Sequence, residues 1–240
     1  MVKPVIGIVL DHQMDGSFSD TPHYALRDQY FAAIERAGGS PVGLGYTDDT
    51  QSYFNFIDGL LSPGGNFAFP DEWYKDPGQK SLYKPSKRLA FDYAMVELAL
   101  QDNVPFLGIC AGMQVMAIVL KGQIIPDIHG GYDTTLAHKK YDKDKPAHNI
   151  SIMKETALHK VTGREELVVN SWHNEAVIAP GNAIVAAKSA DGIIEAIEAP
   201  NHPFALGLQW HPEVSYGKND TDSLIFNAFI EAAQYYKNTL

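Results

Sequence analysis

One cysteine, Cys110, occurs in 240 residues, so an internal disulfide is excluded. That scarcity fits a reducing compartment, and a cytoplasmic location is the expectation. Long apolar runs are also missing: none approaches the roughly 18 residues that a membrane-spanning helix needs. The N-terminal stretch Pro4–Leu10 is short and ends at Asp11, which suits a first strand better than a signal peptide. Positive charge is in short supply, with 19 Lys and Arg against 29 Asp and Glu and a net charge of −10. This argues against nucleic acid or an anionic membrane as partner. Repeats, low-complexity tracts and linker-like stretches are absent, so residues 1–240 are expected to form a single domain. Such a domain buries roughly 70–75% of its unfolded surface and needs no disulfide or metal staple.

What is present reads as alternating strands and helices. Residues 4–10 are a buried strand. A polar loop to Pro22 follows, and His23 to Ala37 then has near-helical apolar spacing that ends at Gly38-Gly39. Pro41–Gly45 and Asp58–Ser62 are further strands, with a weak helix over 51–57 between them. Pro85–Gln101 is a helix feeding the strand that begins at Pro105. This β-α-β-α-β-α-β order predicts an α/β fold, a mostly parallel open sheet with helices on both faces. Residues 122–146 look loop-like, with a charged run from Lys139 to Lys145. Six short strand candidates follow, at 149–153, 167–170, 175–178, 183–189, 193–198 and 205–209, with a hairpin signal at Ala190-Asp191-Gly192. They predict a small antiparallel element in the C-terminal half, before a final helix over 222–236.

The strand ending in Gly108-Ile109-Cys110-Ala111-Gly112 turns directly into a helix. Glycine two residues to each side of Cys110 suits a nucleophile elbow, where a tight turn exposes one side chain. The helix N-terminus favours the thiolate, the reactive form. A nucleophilic thiol needs a base, and the base needs an orienting group. Among nine histidines, His211 lies at the end of the apolar strand Leu206–Trp210, with Glu213 two residues on. Strand C-terminal ends line the ligand crevice of an open α/β sheet, and Cys110 sits at one too. Pro212 favours an extended backbone before it, from which Glu213 projects to the side of His211.

Gly108-Ile-Cys110-Ala-Gly-Met-Gln114 together with Gln209-Trp-His211-Pro-Glu213, Ser62-Pro-Gly-Gly65 and Val169-Asn-Ser-Trp-His173 resembles the class I (triad) glutamine amidotransferase superfamily, whose fold is flavodoxin-like. Within it the chain looks most like the γ-glutamyl hydrolases of the γ-glutamyl-γ-aminobutyrate hydrolase type. The pointers are Tyr30–Pro41, the aromatic loop after Gly65, and Asn182–Glu198. The resemblance implies hydrolysis of γ-glutamyl amides through a γ-glutamyl-thioester, without a cofactor, in a setting such as polyamine breakdown. It assigns Cys110 as nucleophile, His211 as base and then acid, and Glu213 as orienter. Backbone N–H groups of Gly65 and Ala111 would form the oxyanion hole. Gly64, Gln114, Ser171, Trp172 and His173 would contact the glutamyl group, the partner being a small-molecule γ-glutamyl substrate. Phe67, Ala111, the Ala117–Gly122 stretch and Asn174-Glu175 depart from the family pattern, which leaves leaving-group specificity open. A glutaminase subunit serving a separate synthase, and a non-catalytic binding protein, are the rival readings. A homodimer is the base-rate expectation.

Some roles stay open at this level. Gln114 could instead cap a loop, and His173 either shapes the pocket or holds a loop. Trp73 and Tyr74 form either a lid or a plug under the 66–84 loop. His129, His138, His148, His159 and His202 fit no ligand-spacing motif, so no metal is expected.

Overall fold

The computed structural model describes residues 2–14, 16, 18–76, 78–131, 134–139 and 145–239. Its centre is a nine-stranded sheet, in the spatial order Ser40–Leu44, Val5–Val9, Gly59–Ser62, Phe106–Ile109, Ala205–Leu208, Ile194–Glu198, Ile184–Ser189, His148–Ile152 and Glu166–Val169. The first five run parallel, and the remaining pairs are antiparallel. The expected α/β fold is therefore present. The expected antiparallel element in the C-terminal half is present too: four antiparallel strands continue the same sheet, and Ala176–Ala179 lies in a small antiparallel sheet of its own. The Asp191 hairpin joins two of them, as the sequence indicated.

Strand periodicity decides what each face buries. Ile6, Ile8, Leu61, Leu107 and Ile109 meet Tyr30 and Ile34 of helix Asp28–Arg36 and Phe226, Phe229 and Ile230 of helix Asp220–Thr239. On the opposite face, Val9, Leu60 and Phe106 pack with Met95 and Val96 of helix Arg88–Gln101 and Met113 and Val115 of helix Ala111–Val119. Alternate side chains leave a strand on opposite faces, so one buried run supplies both cores. Each fully buried Ile, Leu or Phe contributes roughly 1.5–3 kcal/mol. Among the described residues no helix is long and apolar enough to cross a membrane.

Three local expectations change. His23–Ala25 is not helical but pairs antiparallel with Asp11–Gln13, and the helix begins only at Asp28. Tertiary contact overrides the local spacing here. The Tyr24 ring packs edge-on against His12 and Tyr46, and its hydroxyl accepts the Tyr46 N–H at 2.9 Å. Within the expected 122–146 loop, Gln123–Ile125 is a strand paired with Ala176–Ala179 in a small sheet of its own. The 51–57 segment is 3-10 rather than α-helical, over Thr50–Asn55. Of the charged run 139–145, residues 140–144 lie outside the described residues.

Candidate active site

Strand Phe106–Ile109 and helix Ala111–Val119 meet at Cys110, which occupies the helix N-cap at φ 53°, ψ −103°. A positive φ in a non-glycine residue costs on the order of 1–3 kcal/mol and persists only where the surroundings impose it. The neighbouring backbone imposes it here. A Cβ on Gly112 would lie 2.1 Å from the Ser62 carbonyl oxygen, and one on Gly108 would lie 2.8 Å from the Gly112 carbonyl. Only glycine at both positions lets the strand turn this tightly. The Cys110 N–H is anchored to the Leu208 carbonyl at 2.7 Å, which ties the turn to the strand leading to His211.

His211 follows that strand, and its Nδ1 lies 2.8 Å from Glu213 Oε1, both side chains being buried. Glu213 reaches it from the first turn of the short helix Pro212–Ser215, with Pro212 at the helix start, rather than from an extended segment. Burial disfavours the imidazolium, yet the Glu213 carboxylate and the Cys110 sulfur outweigh it and raise the group to about 10. Burial likewise opposes the Glu213 carboxylate, but His211 holds its pKa below the ordinary value. At neutral pH the pair is therefore ionic. The peptide of His211 is fixed separately: Asn170 Nδ2 donates to its carbonyl and Asn170 Oδ1 accepts its N–H, each at 2.8 Å.

The loop Pro63-Gly64-Gly65 faces this group. A Cβ on Gly64 would stand 2.8 Å from His211 Cε1 and 3.4 Å from Cys110 Cβ. The Gly64 N–H donates to the hydroxyl of fully buried Tyr30 at 3.0 Å. Buried Arg88 holds the other side of the loop, with Nη1 donating to the Gly64 carbonyl at 2.9 Å and Nη2 to the Pro63 carbonyl. Its Nε donates to Asp92 at 3.1 Å. The Gly64 carbonyl and the Gly65 N–H belong to one planar peptide, so Arg88 sets the direction of that N–H. Neither the Gly65 nor the Ala111 N–H has a protein acceptor among the described residues. Two unspent donors near the sulfur suit a developing oxyanion.

A cavity of about 340 Å³ opens over Cys110 and His211. Gly64, Gly65, Asn66 and Trp172 line it, together with Asp11, Gln13 and Ala25 of the N-terminal ribbon. Among the described residues, Arg27 is the one Lys or Arg in that lining. A narrower crevice adjoins it, walled by Gln114, His173, Asn174 and Glu175. Gln114 Nε2 is committed to the Glu175 carbonyl at 2.9 Å and to Gln209 Oε1 at 3.2 Å, so this side chain caps a loop while it lines the crevice. Ser171 lies outside both linings, and its hydroxyl donates to the His138 carbonyl at 2.7 Å. His173 Nδ1 sits 2.9 Å from the Glu175 carbonyl.

Trp73 and Tyr74 line neither crevice. Trp73 stacks on Tyr93, and buried Tyr74 donates its hydroxyl to Glu175 at 3.0 Å. They form a plug, not a lid. His138 and His148 converge on His173 and Glu195, whereas His129, His159 and His202 are not part of that cluster.

Sequence reasoning overlooked Tyr30, Arg88, Asn170 and Arg27 as site residues. Arg88 and Asp92, four apart on a helix, have the spacing of an ordinary surface pair. Only the fold shows both to be buried. Asn170 stood inside a recognised motif but its function lies in a main-chain contact with His211, 41 residues away.

Fold and site together define an α/β protein with a cysteine elbow beside a buried His–Glu pair, and comparison with known proteins gives the family. The peptidase C26 profile matches residues 4–213, and the chain belongs to that family, of class I glutamine amidotransferase type. A glutamine amidotransferase-like protein of Rickettsia prowazekii is 32% identical, with 97% of this chain and 99% of the relative covered. The gamma-glutamyl-gamma-aminobutyrate hydrolase of Escherichia coli K12 is 28% identical, over 98% of this chain and 96% of the relative. The glutaminase domain of Trypanosoma brucei CTPS superposes with a TM-score of 0.65 at 18% identity, covering 97% of this chain and 94% of that one. This last likeness concerns the fold.

Proposed function

We propose that the protein is a cysteine hydrolase of γ-glutamyl amides whose leaving amine carries a carboxylate, as in γ-glutamyl-γ-aminobutyrate. The observation that carries the reading is Cys110 at its elbow beside a His211–Glu213 pair held at 2.8 Å. Cys110 attacks the γ-carbonyl as the thiolate. The oxyanion is met by the Gly65 and Ala111 N–H groups, a single such donor being worth about 3–4 kcal/mol in related hydrolases. His211, protonated in the resting state, gives its proton to the departing amine. It then takes one from the water that cleaves the γ-glutamyl-thioester, and glutamate leaves. Glu213 keeps the ring oriented throughout.

Gly64, Gln114, Trp172 and His173 bound the glutamyl group, and Ser171 holds the loop that carries two of them. Arg27, the lone Lys or Arg among the described residues of the cavity lining, supports recognition of a carboxylate on the leaving amine. Sharing a family with a gamma-glutamyl-gamma-aminobutyrate hydrolase supports the same substrate class.

The test is glutamate release from γ-glutamyl-γ-aminobutyrate and from glutamine, side by side, with no partner added. Faster turnover of the first, lost in Cys110→Ala, is expected. Release from glutamine alone, rising on addition of a synthase, would favour a glutaminase subunit instead.

A further inference from the structure

Four buried side chains outside the proposed catalytic set converge on one point: His138, His148, His173 and Glu195. They come from the 134–139 loop, the start of strand His148–Ile152, the loop after Asn170, and strand Ile194–Glu198. One ligand atom from each lies within 4.8 Å of all the others. Among the described residues, His138 Nδ1, His148 Nε2, His173 Nε2 and both Glu195 oxygens have no hydrogen-bond partner although they are buried. An orphaned buried polar atom costs about 1–3 kcal/mol, so five in one place demand an explanation.

The outer ring nitrogens fix the tautomers. His138 Nε2 faces the Asp191 carboxylate at 2.8 Å. His173 Nδ1 faces the Glu175 carbonyl at 2.9 Å, and His148 Nδ1 faces the Asn149 carbonyl at 3.4 Å. All three partners are acceptors, so in a neutral ring each outer nitrogen carries the hydrogen. The inner nitrogens then present lone pairs, and they present them to one another and to a carboxylate. Four acceptors without a donor repel unless a cation lies between them.

Distances separate a proton from a metal. Glu195 Oε1 lies 3.3 Å from His138 Nδ1, 3.4 Å from His148 Nε2 and 3.9 Å from His173 Nε2. Charge-assisted N–H···O bonds close to about 2.7–2.9 Å, so these are long for proton sharing. With metal–ligand bonds of about 2.0–2.1 Å, the edge of a tetrahedron is about 3.3–3.4 Å; the His138 and His148 contacts match it, and the His173 contact, at 3.9 Å, would have to close in on the ion. The outer contacts of His138 and His173 are also those that orient imidazole ligands around a metal.

We propose that His138, His148, His173 and Glu195 form a closed, four-coordinate site for a divalent transition-metal ion, zinc(II) first. Three imidazoles and a carboxylate suit zinc, and burial of all four leaves no open position, the mark of a structural site. The ion ties the antiparallel half of the sheet to the wall beside Cys110. His173 and Gln114 share the Glu175 carbonyl, so fixing His173 fixes that wall.

The test uses the full chain, stripped with a chelator and titrated with zinc(II) or cobalt(II). One ion per chain is expected, with the intense visible bands of four-coordinate cobalt(II). At about a thousand-fold excess over Kd, the thermal midpoint should rise by about 10 °C. Glu195→Gln, which keeps the shape, and His148→Ala should each lose stoichiometric binding and the thermal shift. If His148→Ala does not fold, Glu195→Gln and the wild-type titration carry the test. A stripped chain that binds no ion and shows no shift would overturn the proposal and leave a proton-sharing cluster. Undiminished binding in Glu195→Gln and His148→Ala would overturn it by placing the ion elsewhere. None of these readouts depends on turnover, so the result is separate from the hydrolase reading.

Discussion

Replacing Arg88 tests whether the Gly64–Gly65 peptide is aimed by a buried guanidinium. Arg88→Met removes the bonds to the Pro63 and Gly64 carbonyls and leaves Asp92 buried without its cation. Breaking a buried pair from one side costs about 3–5 kcal/mol, whereas replacing both partners by apolar groups is often nearly neutral. Arg88→Met alone should therefore destabilise by that amount in urea unfolding. The double variant Arg88→Met/Asp92→Leu should recover the part due to the unpaired carboxylate, leaving the cost of the two unpaired carbonyls. Turnover should behave differently. Without the clamp, the Gly65 N–H loses its fixed direction, and a misdirected oxyanion donor costs about 10²–10³ in kcat. The double variant should thus be more stable than the single one and still slow, with KM for the γ-glutamyl amide little changed. Recovery of both stability and kcat in the double variant would refute the argument, since Arg88 would then serve packing alone.

Three further outcomes follow from the geometry. Asn170→Ala removes both bonds to the His211 peptide; it should destabilise by about 2–4 kcal/mol and lower kcat while KM holds, read by unfolding and steady-state kinetics. Arg27→Gln should raise KM for γ-glutamyl-γ-aminobutyrate but not for a γ-glutamyl amide of an uncharged amine; equal effects on the two would remove Arg27 from leaving-group recognition. Asp222 is pushed up to about 7, first by burial and then by the nearby Glu213 charge. Its carboxyl holds a proton more tightly folded than unfolded, so its contribution is fully present below about pH 4 and lost as pH rises through about 7. The wild type should lose on the order of 3–4 kcal/mol over that interval from this group, and Asp222→Asn should flatten the slope in urea midpoints taken from pH 4 to pH 8.

The parts legible in the sequence were those set by short-range pattern. Runs such as Phe106–Ile109 are too apolar to be anything but buried, and the glycines around Cys110 reflect backbone contact that any Cβ would break. His211 and Glu213 were legible because they stand together at a strand end. What escaped depends on contacts between distant segments. His23–Ala25 has helical spacing, but it pairs instead with Asp11–Gln13, with the Tyr24 ring edge-on to Tyr46. The cluster of His138, His148, His173 and Glu195 spans 57 residues and four elements, so no spacing rule could register it. Ser171 and Gln114 were expected to contact the substrate, yet Ser171 lies outside both linings, and their bonds to His138 and Glu175 are set by how loops fold over one another.

The central claim is that Cys110 carries the glutamyl group during turnover. Intact-mass measurement of wild-type enzyme, acid-quenched at successive times within the first turnovers of γ-glutamyl-γ-aminobutyrate, tests it most directly. The account predicts a mass gain of one glutamyl group, mapped to the peptide containing Cys110 and reversed by hydroxylamine. Turnover by the wild type with no adduct at any quench time, or an adduct that persists in Cys110→Ala, would contradict it.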